Sequence, residues 1–154
     1  MRFAFISTMT GWNWGGSEEL WGQTALHLKR GGHDVHASVM QWPKLSPKLT
    51  ALVEEGVKLG TYPRGGGGYL KRIYTKFSRA RLKSYARIKQ FKPDLVIISQ
   101  GHNAGGFDWA RVCREASIPY VLIVHCNSEH LHKKKKSVVH CNVFLLASDR
   151  KSVV

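Results

Sequence analysis

The sequence predicts an α/β protein built on a doubly wound parallel sheet. Three observations predict it. Short apolar runs alternate with segments of helical periodicity between residues 3 and 124. Two of those runs, 95–98 and 120–124, are apolar at nearly every position, as strands covered on both faces are. The links after the runs are rich in glycine and small polar residues. The chain has 154 residues, 43% of them hydrophobic, which is enough for one domain with a core of its own.

Residues 3–6 form the first apolar run, and it breaks at a loop holding Gly11, Gly15 and Gly16. Ser17 follows as the expected N-cap, with Glu18 and Glu19 in the first turn facing the positive helix end. Leu20, Trp21, Thr24, Ala25 and Leu28 recur at helical spacing, and Gly31 with Gly32 ends that helix. Val35, Ala37 and Val39 alternate as a second strand. A weaker helix starts near Ser46 and Pro47, with Leu49, Leu52 and Val53 on one face. Residues 57–59 read as a short strand and 65–68 as a glycine loop. Residues 70–91 read as a long basic helix with an apolar stripe of Leu70, Ile73, Tyr74, Phe77, Tyr85, Ile88 and Phe91. The strand 95–98, a loop over 99–106, a helix around 109–116 and the strand 120–124 follow. Residues 143–147 read as one last strand.

Charge is the outlier of the composition. Lys and Arg number 24 against 10 Asp and Glu, a formal net charge of +14. Between Gly56 and Pro93 there are eleven Lys or Arg and no acid. Such a field favours polyanions, anionic lipid or phosphorylated substrates. No apolar run approaches the ~20 residues of a membrane span, and the N-terminus lacks a secretory signal's apolar stretch and cleavage site. Three cysteines are too few for a disulfide framework and fit a reducing cytosol. The expected location is cytoplasmic, peripheral at the membrane.

In open parallel sheets, ligands bind beyond the carboxyl ends of the strands. That rule selects the loops 8–17, 99–106 and 125–129. In the first loop, Gly15, Gly16 and Ser17 open a helix, where backbone N–H groups attract phosphate and glycines let the backbone come close. The glycines do not make a dinucleotide fingerprint, and no Gly-Lys-Ser/Thr follows for a P-loop. His102 and Asn103 lie in the second loop, and His125 opens the third. A tight turn explains the glycines without a ligand, and backbone hydrogen bonding explains His125 without one.

The segment Trp14-Gly15-Gly16-Ser17-Glu18-Glu19, then Ala25-Leu26-His27-Leu28 before Gly32-His33-Asp34-Val35, resembles the opening of GT-B glycosyltransferases of family four. Pro93-Asp94-Leu95-Val96-Ile97, and Ile118-Pro119-Tyr120-Val121 with His125, resemble later strands of that family, so the likeness covers residues 1–130. It implies a Rossmann-like domain that is the N-terminal, acceptor-side half of a two-domain, retaining enzyme. A C-terminal half with a Glu-x7-Glu motif would hold most of the nucleotide-sugar site, and transfer would need no metal or other cofactor. By the same resemblance, Gly15 and Gly16 lie near the donor diphosphate and acceptor, and His125 near the reacting sugar. His102 matches an acceptor-contacting loop. The competing reading is a non-catalytic basic α/β module for phosphorylated or polyanionic ligands.

After residue 130 the pattern departs from the family. Residues 131–154 read as an atypical basic tail of a truncated or frame-disturbed product, with four consecutive lysines from Lys133 to Lys136. His125, Cys126, His130, His132, His140 and Cys141 are close in sequence, but their spacings are not those of a structural zinc site, so no metal is expected. Cys113 reads as a core residue. The basic helix is expected to lie on anionic lipid through Lys71, Arg72, Lys76 and Arg79, with Tyr74, Phe77 and Tyr85 near the boundary. No nucleic-acid motif accompanies it, so nucleic acid ranks below lipid.

Overall fold

The computed structural model describes residues 1–64, 79–101 and 105–125. The glycine loop 65–68, the start of the basic helix with Lys71, Arg72 and Lys76, the pair His102 and Asn103, and everything after His125 lie outside the described residues.

Nine elements follow one another among the described residues. They are β1 (Arg2–Ser7), α1 (Gly16–Arg30), β2 (Asp34–Met40), α2 (Pro47–Glu54), β3 (Lys58–Tyr62), α3 (Arg79–Phe91), β4 (Leu95–Gln100), α4 (Phe107–Glu115) and β5 (Tyr120–Val124). The strands form one sheet in the order β3-β2-β1-β4-β5, and every adjacent pair is parallel. The expected α/β class is therefore the observed one. β1 and β4 run past their apolar cores because the ladder continues into polar residues, pairing Ser7 with Ser99.

Side chains alternate across the sheet and divide the core in two. On one face Phe5, Val35, Ala37, Val39 and Ile97 pack with Trp21 and Ala25 of α1 and Leu49 and Leu52 of α2. On the other, Ala4, Ile6, Met40, Tyr62, Val96 and Ile98 pack with Ile88 of α3 and with Trp109 and Cys113 of α4. Cys113 is a core residue, and burial pushes its thiol up to about 12.

Local chemistry sets the helix ends. The N-cap of α1 is Gly15, in extended conformation, and not Ser17. Ser17 already lies inside the helix, where its hydroxyl donates to Glu18 at 2.7 Å instead of accepting a backbone N–H. At the other end Gly31 donates to the His27 carbonyl at 3.0 Å, and Gly32 takes a φ of 81°, which glycine adopts without a Cβ penalty. Ser46 caps α2 by accepting from the Leu49 N–H at 3.2 Å, with Pro47 at the start of the helix.

The basic helix also departs from expectation. In α3, Ser84 and Ile88 are buried, and Tyr85 and Phe91 pack against the core. Tyr85 meets Trp109 edge-on at 4.6 Å and donates to Asp108 at 2.6 Å. It is therefore held by α4 and does not stand at a lipid boundary. Arg79, Lys83, Arg87 and Lys89 remain exposed.

Candidate functional site

Strand register assembles the site. Ser7 of β1 is paired with Ser99 of β4, and Gln100 with Val124 of β5, so His125 follows at the same edge. This is where the chain leaves β1 for α1 on one face and β4 for α4 on the other, the switch point at which doubly wound sheets open a crevice.

Glu18 lies at its centre. Its side chain is in the first turn of α1 and the residue is 3% exposed. Ser7 Oγ donates to its Oε1 at 2.6 Å and Ser17 Oγ to its Oε2 at 2.7 Å. The Met9 N–H donates to Ser7 Oγ at 3.3 Å, extending the chain of bonds into the loop. Both carboxyl oxygens thus have a hydroxyl donor. Glu19 is different: it is half-exposed and accepts from the Trp14 indole at 2.8 Å. Its carboxyl is held down at about 2 by hydrogen bonds from Gln23, Trp14 and Lys48.

His125 stands across the edge, with Nε2 2.8 Å from Ser99 Oγ. Burial pulls its pKa below the ordinary histidine value, while the negative charge of Glu18 works in the opposite direction. The ring is thus mainly neutral at pH 7, with one nitrogen to donate and one to accept.

The glycines divide into two kinds. A Cβ on Gly16 would meet nothing within 4 Å, so its surface faces open space at the helix start. No side chain caps that first turn. Gly15 is tighter, with Glu18 Oε2 3.4 Å from the place of its Cβ. Gly101 is required by packing: a Cβ there would lie 2.4 Å from Met9 Cα. The close approach lets the Gly101 N–H reach Thr8 Oγ1 at 3.2 Å, while the Thr8 N–H reaches the Ser99 carbonyl at 2.9 Å. From the opposite face of the sheet, the Tyr62 hydroxyl donates to the Ser7 carbonyl, and the Arg81 guanidinium lies over the Tyr62 ring at 4.2 Å.

This arrangement places an exposed helix start beside a buried carboxylate, a neutral imidazole and several hydroxyls. It can take an anion at the backbone and hydrogen-bond a polyol at the side chains. A family model described as Glycosyltransferase Family 4 matches residues 14–146. The chain belongs to glycosyltransferase family 4. No curated protein and no solved structure matches it. Membership of glycosyltransferase family 4 gives the chain a function of the glycosyltransferase type, with a sugar donor and an acceptor as its general ligand classes.

The residues expected from sequence are brought together only in part. Gly15, Gly16, Ser17 and His125 converge at the carboxyl edge. Arg79 begins α3, on the other side of the sheet. His102 and Asn103 lie outside the described residues, as do all members of the His/Cys cluster except His125. Sequence reasoning missed Ser7 and Ser99, and it placed Glu18 in the family-like segment but gave it no role beyond that of a dipole partner. A polar residue directly after each of two apolar strand runs was the available signal for the serines. Two open grooves, one lined by Arg2, Lys89, Lys92 and Asp94 and another by Lys29, His33 and Asp34, lie at the amino ends of the strands, opposite this candidate site.

Proposed function

We propose that the chain forms the acceptor-side half-site for transfer of a sugar from a nucleotide-sugar donor, by a retaining route that uses no metal. The observation that supports it is the convergence of Gly16, Glu18, Ser99 and His125 at the switch point. In this reading the Gly15–Gly16 backbone faces the donor diphosphate and Ser17 steadies Glu18. The neutral His125 hydrogen-bonds the reacting sugar, with Ser99 fixing its ring. Family membership favours transfer over a non-catalytic module for polyanions. His102 and Asn103 are proposed as acceptor contacts by resemblance alone.

The test is binding of pyrophosphate, UDP and GDP to the full chain and to Gly16→Val. Because the Gly16 side faces open space, the variant is expected to keep its circular dichroism spectrum. Affinity for the bound phosphates is expected to fall about ten-fold or more as the branched side chain blocks the helix start. Equal binding by the two proteins would overturn the reading. The 154 residues alone are expected to give no sugar turnover with UDP-glucose or GDP-mannose, since the resemblance assigns most donor contacts to a second domain. Turnover by this chain would refute that part, and inhibition of the complete enzyme by EDTA would refute the metal-free route.

The reading includes contact with an anionic membrane surface through the basic segment 71–92. What supports it is charge alone: Arg79, Lys83 and Lys89 are exposed on α3 and the segment has no acid. Co-sedimentation with phosphatidylserine vesicles that vanishes in 1 M salt is the expected result, because the Debye length then shrinks to about 3 Å. Unchanged sedimentation after replacing Lys71, Arg72, Lys76 and Arg79 with Glu would remove this element.

A further inference from the structure

The amino ends of the strands carry a groove that the half-site does not use. It has a volume of about 550 Å³ and lies where β1, β4 and β5 begin. Arg2 is the first residue of β1, Lys89 stands in the last turn of α3, and Lys92 and Asp94 belong to the link into β4. Ile118 and Pro119, just before β5, add an apolar wall. β4, six residues long, separates this groove from the carboxyl edge by roughly 17 Å.

Backbone bonds fix the walls. The Arg2 N–H donates to Asp94 Oδ2 at 2.7 Å, and the Asp94 N–H donates to the Arg2 carbonyl at 2.8 Å. The N–H groups of Lys92, Ala116, Ser117 and Ile118 close the ends of α3 and α4 on carbonyls of the preceding turns. Positions 93 and 119 are prolines and have no N–H. The donors left to the groove are therefore side chains. Arg2, Lys89 and Lys92 are exposed, and no ion pair among the described residues engages them. Asp94 is the one acid of the lining. The carboxyl ends of α3 and α4 add roughly half a negative charge each. Three cations exceed that carboxylate and both helix ends together, so the groove stays positive. A lysine in a last turn matches its own helix end, but Arg2 lies on a strand and has none to match. A concave surface with convergent cations and an apolar wall, of the size that takes a small ligand, suits a compact molecule with more than one anionic group.

We propose that this groove is a second binding site, for a small ligand bearing two or more phosphate or carboxylate groups, held by Arg2, Lys89 and Lys92. It is separate from the carboxyl edge and does not depend on the acceptor-side reading. Phosphate and carboxylate share the chemistry that the three cations recognise, and the probes separate them.

The experiment is calorimetric titration of the full chain with fructose 1,6-bisphosphate, citrate and neutral fructose at about 0.1 M salt. At least one of the two anions should bind, and fructose should not. Arg2→Gln and Lys92→Gln should each weaken that binding about ten-fold. Both backbone bonds of Arg2 survive its substitution, so the circular dichroism spectrum should not change. Asp94→Asn should act in the opposite direction and tighten binding several-fold. It removes the opposing charge, while its amide oxygen can still accept the Arg2 N–H. Lys44→Gln changes an exposed lysine outside the groove and should have no effect. The proposal is overturned if neither anion binds, if Arg2→Gln binds as well as the parent, or if Lys44→Gln loses as much as Arg2→Gln. That last result would mean net charge alone. Gly16→Val reports separately. Anion binding that is lost in Gly16→Val and kept in Arg2→Gln would place the anion at the start of α1 and overturn the second site. Arg2-dependent binding together with nucleotide binding indifferent to Gly16 would keep the second site and remove the half-site.

Discussion

Three residues show how position decides chemistry at this edge. Gly16 and Gly101 are both glycines of the site, yet substitutions should act in opposite ways. Gly16→Ala places a Cβ in open space at the start of α1 and improves helix propensity, so stability should hold or rise by a few tenths of a kcal/mol. Gly101→Ala drives a Cβ against the Met9 backbone and should cost about 2 kcal/mol, through displacement of the two loops. Urea denaturation of both variants checks the contrast, and equal stabilities would refute it. Glu18 is the third. Glu18→Gln leaves two hydroxyl donors facing an amide that accepts at only one atom, and should destabilise by about 1–3 kcal/mol. It also removes the charge that opposes the depression of His125. The His125 ring should then titrate at still lower pH, measured by NMR of its imidazole protons. An unmoved titration would mean that Glu18 and His125 do not interact.

At the scale of elements, α3 and α4 are joined by a polar cluster inside an aromatic setting. Arg81 Nη2 lies 2.6 Å from Asp108 Oδ2, with both side chains largely buried, and Tyr85 donates to the same oxygen. The guanidinium also faces the rings of Tyr62, Tyr85 and Trp109. Asp108 is held below the ordinary carboxylate range: burial works against this, and the Arg81 charge and hydrogen bonds outweigh it. Asp108→Asn should cost about 3 kcal/mol, because a buried cation loses its counter-charge. The double variant Arg81→Met, Asp108→Leu should be less destabilised than either single one. A thermal or urea double-mutant cycle measures this, and simple additivity would show the pair to be uncoupled. The surface pairs Arg30–Glu55 and Arg111–Glu115 are largely exposed and contribute little.

The whole molecule should be acid-sensitive through a histidine remote from the site. His36 on β2 is 5% exposed, against the Phe91 ring and within 3.2 Å of Ser38 Oγ. Burial first, then the charges of Arg87 and Lys58, lower its pKa to about 4. An unfolded histidine titrates near ~6.5, so between that value and 4 the unfolded chain binds the extra proton. The stabilisation is therefore full above pH 6.5 and is lost as pH falls toward 4, by roughly 3 kcal/mol in all. Urea midpoints from pH 7 to pH 4 should fall more steeply for the parent than for His36→Gln. Parallel curves would show that His36 does not govern the acid limb.

The fold was legible because its signals are local and repeated. The apolar runs at 95–98 and 120–124 showed β4 and β5 directly; Val96, Ile97 and Ile98 are buried as expected, whereas β5 lies at the edge of the described sheet, so only Tyr120 and Leu122 are buried and Val121, Ile123 and Val124 are half-buried. Ser46 and Pro47 start α2 through bonds within four residues, so the sequence shows them directly. The carboxyl-edge rule located Gly15, Gly16 and His125 without any knowledge of strand order. Other features depend on residues far apart in the chain. Ser7 meets Ser99 only because β1 and β4 are neighbours in register, and Glu18 reaches Ser7 only because α1 packs back against the sheet. Tyr85 could be read from its spacing as part of an apolar stripe. Which surface it would meet was settled by Trp109 and Asp108 on another helix. Periodicity and composition determined the elements, their faces and the edge where chemistry sits. Tertiary packing decided which polar groups would share that edge, because hydrogen bonds between groups about 90 residues apart, such as the Gly101 N–H to Thr8 Oγ1, exist only after the sheet has set its register.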